Sequence, residues 1–171
     1  MQIDVSELKQ SPGLSIHREC AAVLPALEGT GGETITFAGP AAAVLDLTNR
    51  DGVLLVTGTV RAVLRLPCSR CLETFTLPVE VSLAETYYPE GAALLKAEEN
   101  EESIPFRGDV LDITPEVLKA VLLALPMKPV CRPDCRGLCP RCGRNLNLGR
   151  CTCGHDDPDP RLAVLKDLLG H

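Results

Sequence analysis

Val56-Thr57-Gly58-Thr59-Val60-Arg61-Ala62-Val63-Leu64-Arg65-Leu66, then Pro67-Cys68-Ser69-Arg70-Cys71-Leu72-Glu73, then Thr74-Phe75-Thr76-Leu77-Pro78-Val79-Glu80-Val81-Ser82-Leu83: this stretch decides the fold. In its first part Val56, Gly58, Val60, Ala62, Leu64 and Leu66 alternate with Thr57, Thr59, Arg61, Val63 and Arg65. In its last part Phe75, Leu77, Val79, Val81 and Leu83 alternate with Thr74, Thr76, Pro78, Glu80 and Ser82. Period two marks a half-buried strand, because successive side chains point to opposite faces. Two such strands predict an antiparallel hairpin with a Cys-x-x-Cys pair in its turn. Pro78 has no N–H for a ladder, so its strand lies at an edge or bulges there.

Outward from the hairpin, a strand over 42–48 runs into Asn49-Arg50-Asp51-Gly52, a turn-rich tetrad. The expected unit is a three-strand meander over 42–48, 53–66 and 72–86, with a less patterned strand near 14–24. Gly-Thr-Gly-Gly at 29–32 lacks the spacing of a phosphate-binding motif and reads as a loop. Glu98, Glu99, Glu101 and Glu102 mark an acidic, solvated loop near 90–103. Thr114 suits an N-cap and Pro115 a first turn. Val117, Leu118, Val121, Leu122 and Leu125, widened by Leu123 and Ala124, then predict a mostly buried helix that Pro126 and Pro129 end. Asp159, Pro160 and the stripe Leu162, Leu165, Leu168 and Leu169 predict a C-terminal helix over 159–170. The fold class is therefore α+β. An antiparallel β body over 1–112 precedes a unit over 113–171 made of the buried helix, a cysteine-rich segment (131–153) and the last helix.

With 45% apolar and 23% charged residues among 171, the chain is not disordered. Three Phe, two Tyr and no Trp argue against a nucleic-acid binder built on aromatic stacking. No apolar stretch approaches the ~20 residues of a membrane helix. The opening Met-Gln-Ile-Asp-Val-Ser-Glu-Leu-Lys-Gln has neither the basic nor the apolar region of a signal peptide, so a cytoplasmic location is expected. Charge is unevenly placed: residues 1–126 hold 18 acids and 9 bases, residues 127–171 hold 5 acids and 8 bases. Arg132, Arg136, Arg141, Arg144 and Arg150 fall among the clustered cysteines. They are candidate phosphate contacts for a polyanion partner. Their plainer role is to offset thiolate charge, since four thiolates around zinc carry about −2.

Nine cysteines are the unusual feature, six of them between Cys131 and Cys153. In a reducing compartment, cysteines at chelating spacing read as metal ligands. Cys139-Pro140-Arg141-Cys142-Gly143 is a zinc knuckle. Its two-residue spacer lets both thiolates reach one ion, and the glycine permits the positive φ that turns amides toward sulfur. Cys151 and Cys153 complete a four-thiolate site, whose closed ligand set favours a structural over a catalytic metal. Cys68 and Cys71 lie in the strand turn, and Cys131 and Cys135 follow the buried helix. If the helix lies on the sheet, these four can form a second site. Otherwise Cys131 and Cys135 join the knuckle, and Cys68 and Cys71 are a free or redox dithiol. The expectation is one or two zinc ions per chain. His17 and His155 are substitute ligands of lower merit, and Cys20 reads as a small buried apolar residue. There is no HExxH helix and no G-x-S-x-G elbow, and the strand-turn CxxC does not open a helix as in thioredoxin-like enzymes. A non-enzymatic role is expected. The alternatives are a zinc-dependent hydrolase or nuclease, whose substrate would be rRNA only through the family resemblance that follows, with Asp156 or Asp157 beside an open metal position, and a cysteine-based redox sensor.

Four features resemble the YceD/YlbN family: Cys68-Ser69-Arg70-Cys71-Leu72-Glu73 between two strands; the helix from Glu116 ending Leu123-Ala124-Leu125-Pro126, with Pro129 after it; Cys135-Arg136-Gly137-Leu138-Cys139-Pro140-Arg141-Cys142-Gly143-Arg144-Asn145-Leu146-Asn147 with Cys151 and Cys153; and Asp159-Pro160-Arg161-Leu162-Ala163. The resemblance implies a bacterial or plastid factor in the accumulation of large-subunit ribosomal RNA. Its partner would be that rRNA, a large-subunit ribosomal protein, or both, with no membrane and no small-molecule substrate. It also implies a structural metal and favours the site shared by Cys68, Cys71, Cys131 and Cys135. It carries over no catalytic residue.

Overall fold

The computed structural model describes residues 1–29, 31–90 and 103–153. In chain order the elements are β1 (Gln2–Asp4), α1 (Ser6–Gln10), β2 (Ser15–Ala22), β3 (Leu27–Glu28), β4 (Thr34–Phe37), β5 (Ala41–Arg50), β6 (Val53–Pro67), β7 (Thr74–Pro89), β8 (Ile104–Phe106), β9 (Val110–Asp112) and α2 (Thr114–Ala124). The fold is α+β and mostly antiparallel. The axis is β6. Along one edge it pairs with β7 from Leu54↔Tyr87 to Pro67↔Thr74. Its other edge is shared, β5 taking Val53 to Arg61 and β4 taking Leu64 and Arg65. Outside β5 lies β2, β3 pairs with β4, and β8 joins the end of β7 in parallel at Tyr87 to Pro89. A separate two-stranded ladder joins β1 to β9.

The expected meander is β5, β6 and β7, and the less patterned strand is β2. The alternating residues of β6 divide as their period dictates: Val56, Val60, Ala62, Leu64 and Leu66 are buried, while Arg61, Val63 and Arg65 are exposed. They join Leu8, Ile35, Leu45, Leu47, Leu111, Ile113, Val117 and Val121 in one core. Asp51 (φ 52°) and Gly52 (φ 93°) form the two-residue turn between β5 and β6, with the double left-handed backbone that suits the strand twist. Asn49 is fully buried beside it. Its amide donates to the carbonyls of Leu8 (2.6 Å) and Lys9 (3.3 Å) and its Oδ1 accepts from Gly52 N–H (2.8 Å). One side chain thus satisfies carbonyls at the end of α1 and holds the turn. Gly58 lies where β5 and β6 approach closely, and a Cβ there would stand 2.1 Å from the Val44 carbonyl oxygen.

Pro78 stands opposite Val63, whose carbonyl accepts from Ala38 N–H (2.8 Å) on the far side. The Val63–Pro78 position is therefore one without ladder bonds, and the proline nitrogen faces the open edge of β7.

α2 packs on β7. Thr114 is its first helical residue and not its cap; the cap position belongs to Ile113, and the Thr114 N–H donates to Asp112 Oδ1 (2.9 Å). Pro115 sits in the first turn as expected. The expectation of a mostly buried helix is corrected: Val117 and Val121 are buried, but Leu123 is 76% exposed. A helix on one side of a single sheet layer buries one stripe only. The acidic loop expected near 90–103 falls mainly, and the helix expected over 159–170 wholly, outside the described residues. Among the described residues no helix is long and apolar enough to cross a membrane.

Candidate metal centre

The turn between β6 and β7 is built by its backbone. Cys68 N–H donates to the Glu73 carbonyl (2.9 Å), and Leu72 N–H to the Cys68 carbonyl (2.9 Å), with Leu72 left-handed at φ 62°. The turn at Cys139 repeats it. Cys139 N–H donates to Arg144 O (2.9 Å), and Gly143 N–H to Cys139 O (2.9 Å), with Gly143 at φ 70°. In each turn the left-handed residue directly follows the second cysteine, which swings amides toward the first sulfur.

The cysteines gather in two groups of four, Cys68 with Cys71, Cys131 and Cys135, and Cys139 with Cys142, Cys151 and Cys153. Within each group all four sulfurs lie within 4.8 Å of one another. Cys68 and Cys135 sulfurs are 3.8 Å apart, Cys71 and Cys131 3.7 Å, and Cys139 and Cys151 3.4 Å. Four thiolates at a zinc–sulfur distance of about 2.3 Å form a tetrahedron with edges of about 3.8 Å. A disulfide would bring sulfurs to about 2.05 Å. Both groups therefore could hold a tetrahedral metal ion, and in each the donor set is cysteine alone among the described residues.

Amides aim at the sulfurs. Cys68 Sγ accepts from Arg70 N–H and Cys131 N–H, both at 3.4 Å. Burial works against a charged Cys68, but the amides of Cys131, Cys71 and Arg70 outweigh it and draw its pKa down to about 6. Amides of Cys142 and Arg141 draw Cys139 down to about 6 as well. Burial, then the thiols of Cys135, Cys71 and Cys68, push Cys131 up to about 12. The Cys142 thiol, then burial, pushes Cys153 up to about 11.

The segment after α2 reaches the strand turn because Ser69 N–H donates to Pro129 O (2.8 Å) and Arg70 Nη1 donates to Cys135 O (2.9 Å). The second turn rests on the first. Leu138 N–H donates to Arg70 O (3.2 Å), and a Cβ on Gly137 (φ 73°) would stand 3.0 Å from that oxygen. Leu138 bridges to Asn145. Asn147 carries a role that the spacing of cysteines does not reveal. Its amide donates to Cys135 Sγ (3.3 Å), and its Oδ1 accepts from Arg136 N–H (2.9 Å). The signal for it is Asn145-x-Asn147, two carboxamides inside a cysteine loop.

Of the two pairings left open by sequence, the structure adopts the one in which Cys131 and Cys135 face the strand turn. Cys20 is half-buried on β2 and packs against the main core. His17 on β2 faces Asp46 at 2.8 Å and belongs to neither group. Arg132, Arg136, Arg141, Arg144 and Arg150 are all exposed, with Arg132 3.5 Å from Asp134. Asp156, Asp157 and His155 lie outside the described residues.

The sequence model described as "Large ribosomal RNA subunit accumulation protein YceD" matches residues 56–169, which include both cysteine groups. The chain belongs to the YceD family. A Mycobacterium tuberculosis protein is 38% identical over 176 residues, covering 99% of this chain and 82% of its own. A maize relative named "Large ribosomal RNA subunit accumulation protein YCED homolog 1, chloroplastic" is 32% identical over 155 residues, covering 74% of this chain and 52% of the relative. Bacillus subtilis YlbN is 30% identical over 112 residues, 65% of this chain and 63% of its own. No solved structure matches. Within the YceD-matching region, the strand turn and the segment after α2 meet at one place, the group formed by Cys68, Cys71, Cys131 and Cys135.

Proposed function

We propose that this YceD-family chain is a non-enzymatic, cytoplasmic factor that supports accumulation of large-subunit ribosomal RNA by binding that RNA directly. In this reading the 1–112 body is a platform, and the segment after it is an RNA-contacting unit set by two zinc ions. Zinc suits the two all-cysteine groups, because closed sets of four thiolates at tetrahedral spacing favour a structural ion. One ion would be held by Cys68, Cys71, Cys131 and Cys135, the other by Cys139, Cys142, Cys151 and Cys153. When bound, zinc supplies folding free energy and neutralises thiolate charge.

The observation that carries the reading is that Arg132, Arg136, Arg141, Arg144 and Arg150 are all exposed residues of the cysteine loops. A guanidinium presents a fixed fork of donors that fits phosphate, and a metal-set loop has already lost the entropy that binding would otherwise cost. Binding of zinc-loaded protein to large-subunit rRNA fragments across a salt series tests it. Affinity is expected to fall as salt rises, with Arg141→Gln/Arg144→Gln flattening the log–log slope by roughly one to two. Zinc content should not change. If the double variant loses metal and binds RNA like the parent, the arginines serve the thiolates and the reading fails.

A further inference from the structure

The sheet ends at β2, and among the described residues no strand pairs with its outer side. The ladder with β5 fixes which groups face outward. Asn49 N–H donates to the Leu14 carbonyl (2.9 Å), and the register then runs from Ser15↔Thr48 to Ala22↔Ala41. Hydrogen-bonded and open pairs alternate along an antiparallel ladder, so Ile16, Arg18 and Cys20 bond β5. Ser15, His17, Glu19 and Ala21 turn their N–H and C=O groups away from the sheet. One of these outward carbonyls, that of His17, accepts from the Arg18 guanidinium (3.1 Å). Side chains alternate as well. Ile16 and Cys20 stand opposite Leu47 and Ala43 on the core face and are only partly buried. On the other face, His17 Nδ1 lies 2.8 Å from Asp46, and His17 Nε2 lies 3.8 Å from Glu19. The bond from Asp46 holds the His17 imidazole above its ordinary range. Just beyond the two ends of the strand lie Leu14 and Val23, both exposed.

We propose that β2 pairs with β2 of a second copy of this chain, antiparallel about a two-fold axis at Arg18, so that two sheets become one. An axis normal to the sheet keeps both core faces on the same side, so opposed residues are both even-numbered or both odd-numbered. Setting Arg18 opposite Arg18 is the register that suits both faces. It places Ile16 of one copy against Cys20 of the other, which covers the core edge that each leaves half open. It places His17 of one copy against Glu19 of the other, a pair of opposite charge on the outer face. Leu14 of one copy then meets Ala22 of the other, beside Val23. Moving the axis to His17 would set Ile16 against Arg18, and moving it to Glu19 would set two glutamates together. In the chosen register the outward main-chain groups of Ser15 pair with those of Ala21, and those of His17 with those of Glu19. Strand addition of this kind obtains affinity from the main chain and specificity from alternate side chains. The opposing element is Arg18, whose guanidinium must leave the His17 carbonyl and face its own copy across the axis. Charge on an edge strand is a usual guard against pairing, and here it keeps the association weak and dependent on concentration. Neither the arginine loops nor the cysteine groups contribute to this surface, so it and the RNA reading can fail separately.

The test is sedimentation of the zinc-loaded full chain across a concentration series, with amide exchange measured at each concentration. A monomer–dimer equilibrium is expected, with the His17, Glu19 and Ala21 amides gaining protection as dimer forms. Glu19→Pro removes an outward N–H, which an edge strand tolerates. It should abolish the dimer while zinc content and the protection of the Ile16, Arg18 and Cys20 amides are kept. Glu19→Lys, which sets a cation against His17, should weaken dimerisation roughly two- to tenfold. Arg18→Ala should tighten it by about the same factor, because it removes the like-charge pair and frees the His17 carbonyl. Arg141→Gln/Arg144→Gln should leave it unchanged. A protein that sediments as a monomer up to about 1 mM overturns the proposal. So does a dimer that survives Glu19→Pro, which would use another face, and so does unchanged affinity in both Glu19→Lys and Arg18→Ala. Odd-numbered β2 amides protected equally at every concentration would overturn it too, and would give the edge to the chain itself.

Discussion

The two cysteine turns have the same backbone and different settings. In both, the first cysteine's N–H bonds the carbonyl five residues on, and its carbonyl takes the N–H four residues on, from a left-handed residue. Around Cys68 the turn closes a hairpin of the main sheet, and Cys68, Cys71 and Cys135 are buried with Phe75, Val130 and Leu138 packed against them. Around Cys139 the partner cysteines come from the next few residues, and Cys142 is exposed. The first group therefore joins body to tail over a sequence separation of 60 from Cys71 to Cys131, while the second folds the tail on itself. Closing a long loop costs more chain entropy than closing a short one, though only logarithmically. Identical chemistry thus serves tertiary attachment in one place and local shape in the other.

The strongest way to break that comparison is to remove metal. Structural zinc contributes about 10–16 kcal/mol in small modules, and the tail has only Leu138, Leu146 and Leu148 as large apolar residues between Cys131 and Cys153. On chelation, amide exchange is expected to lose protection across 131–153 while β5, β6 and β7 keep theirs. Equal protection of the tail with and without chelator would end the distinction between body and tail.

Single-cysteine variants sharpen it next. Cys142→Ser should lower zinc from about two ions per chain to about one. Cys68→Ser should lower it further, because Leu138 and Gly137 of the second turn rest on the Arg70 carbonyl of the first. Elemental analysis of both proteins checks the order, and equal losses would show the groups to be independent.

Asn147 gives a smaller effect with the same logic. It lies in sequence between Cys142 and Cys151 yet donates to Cys135 of the other group. Asn147→Ala should cost about 1–3 kcal/mol in urea unfolding and loosen Cys135 before Cys142. Smallest is an exchange at the left-handed positions. Leu72 is 67% exposed at φ 62°, where Gly143 has its counterpart. Leu72→Gly should stabilise by up to about 1 kcal/mol, and Gly143→Leu should destabilise by about as much, as read from thermal unfolding.

Period-two alternation made β5, β6 and β7 legible, because each buries one face against a common core. The turn at Asp51-Gly52 was legible for the same kind of reason, since its residues tolerate left-handed backbone. By contrast, β1 and β9 are three residues each and pair at Gln2↔Asp112, so no local pattern announces them. Asn49 reads as a turn residue, and its burial against α1 depends on a helix too short to show a stripe. At the cysteines, spacing picked out the pairs that gather, but which pair meets which was decided by where the chain after α2 docks. Pro129, Arg70 and Asn147 make that docking through main-chain and carboxamide contacts that carry no periodicity. The exposed side of α2 escaped because an apolar run looks the same whether one stripe or all of it is covered.

The attachment at Cys68 and Cys71 also has a mechanical meaning. With metal in that group, tension applied to the chain beyond Cys135 passes into the β6–β7 hairpin, whose strands share a ladder from Leu54↔Tyr87 to Pro67↔Thr74. It bypasses α2, which buries only Val117 and Val121 and would peel from the sheet at low force. The clip therefore shields α2 from whatever pulls on the tail.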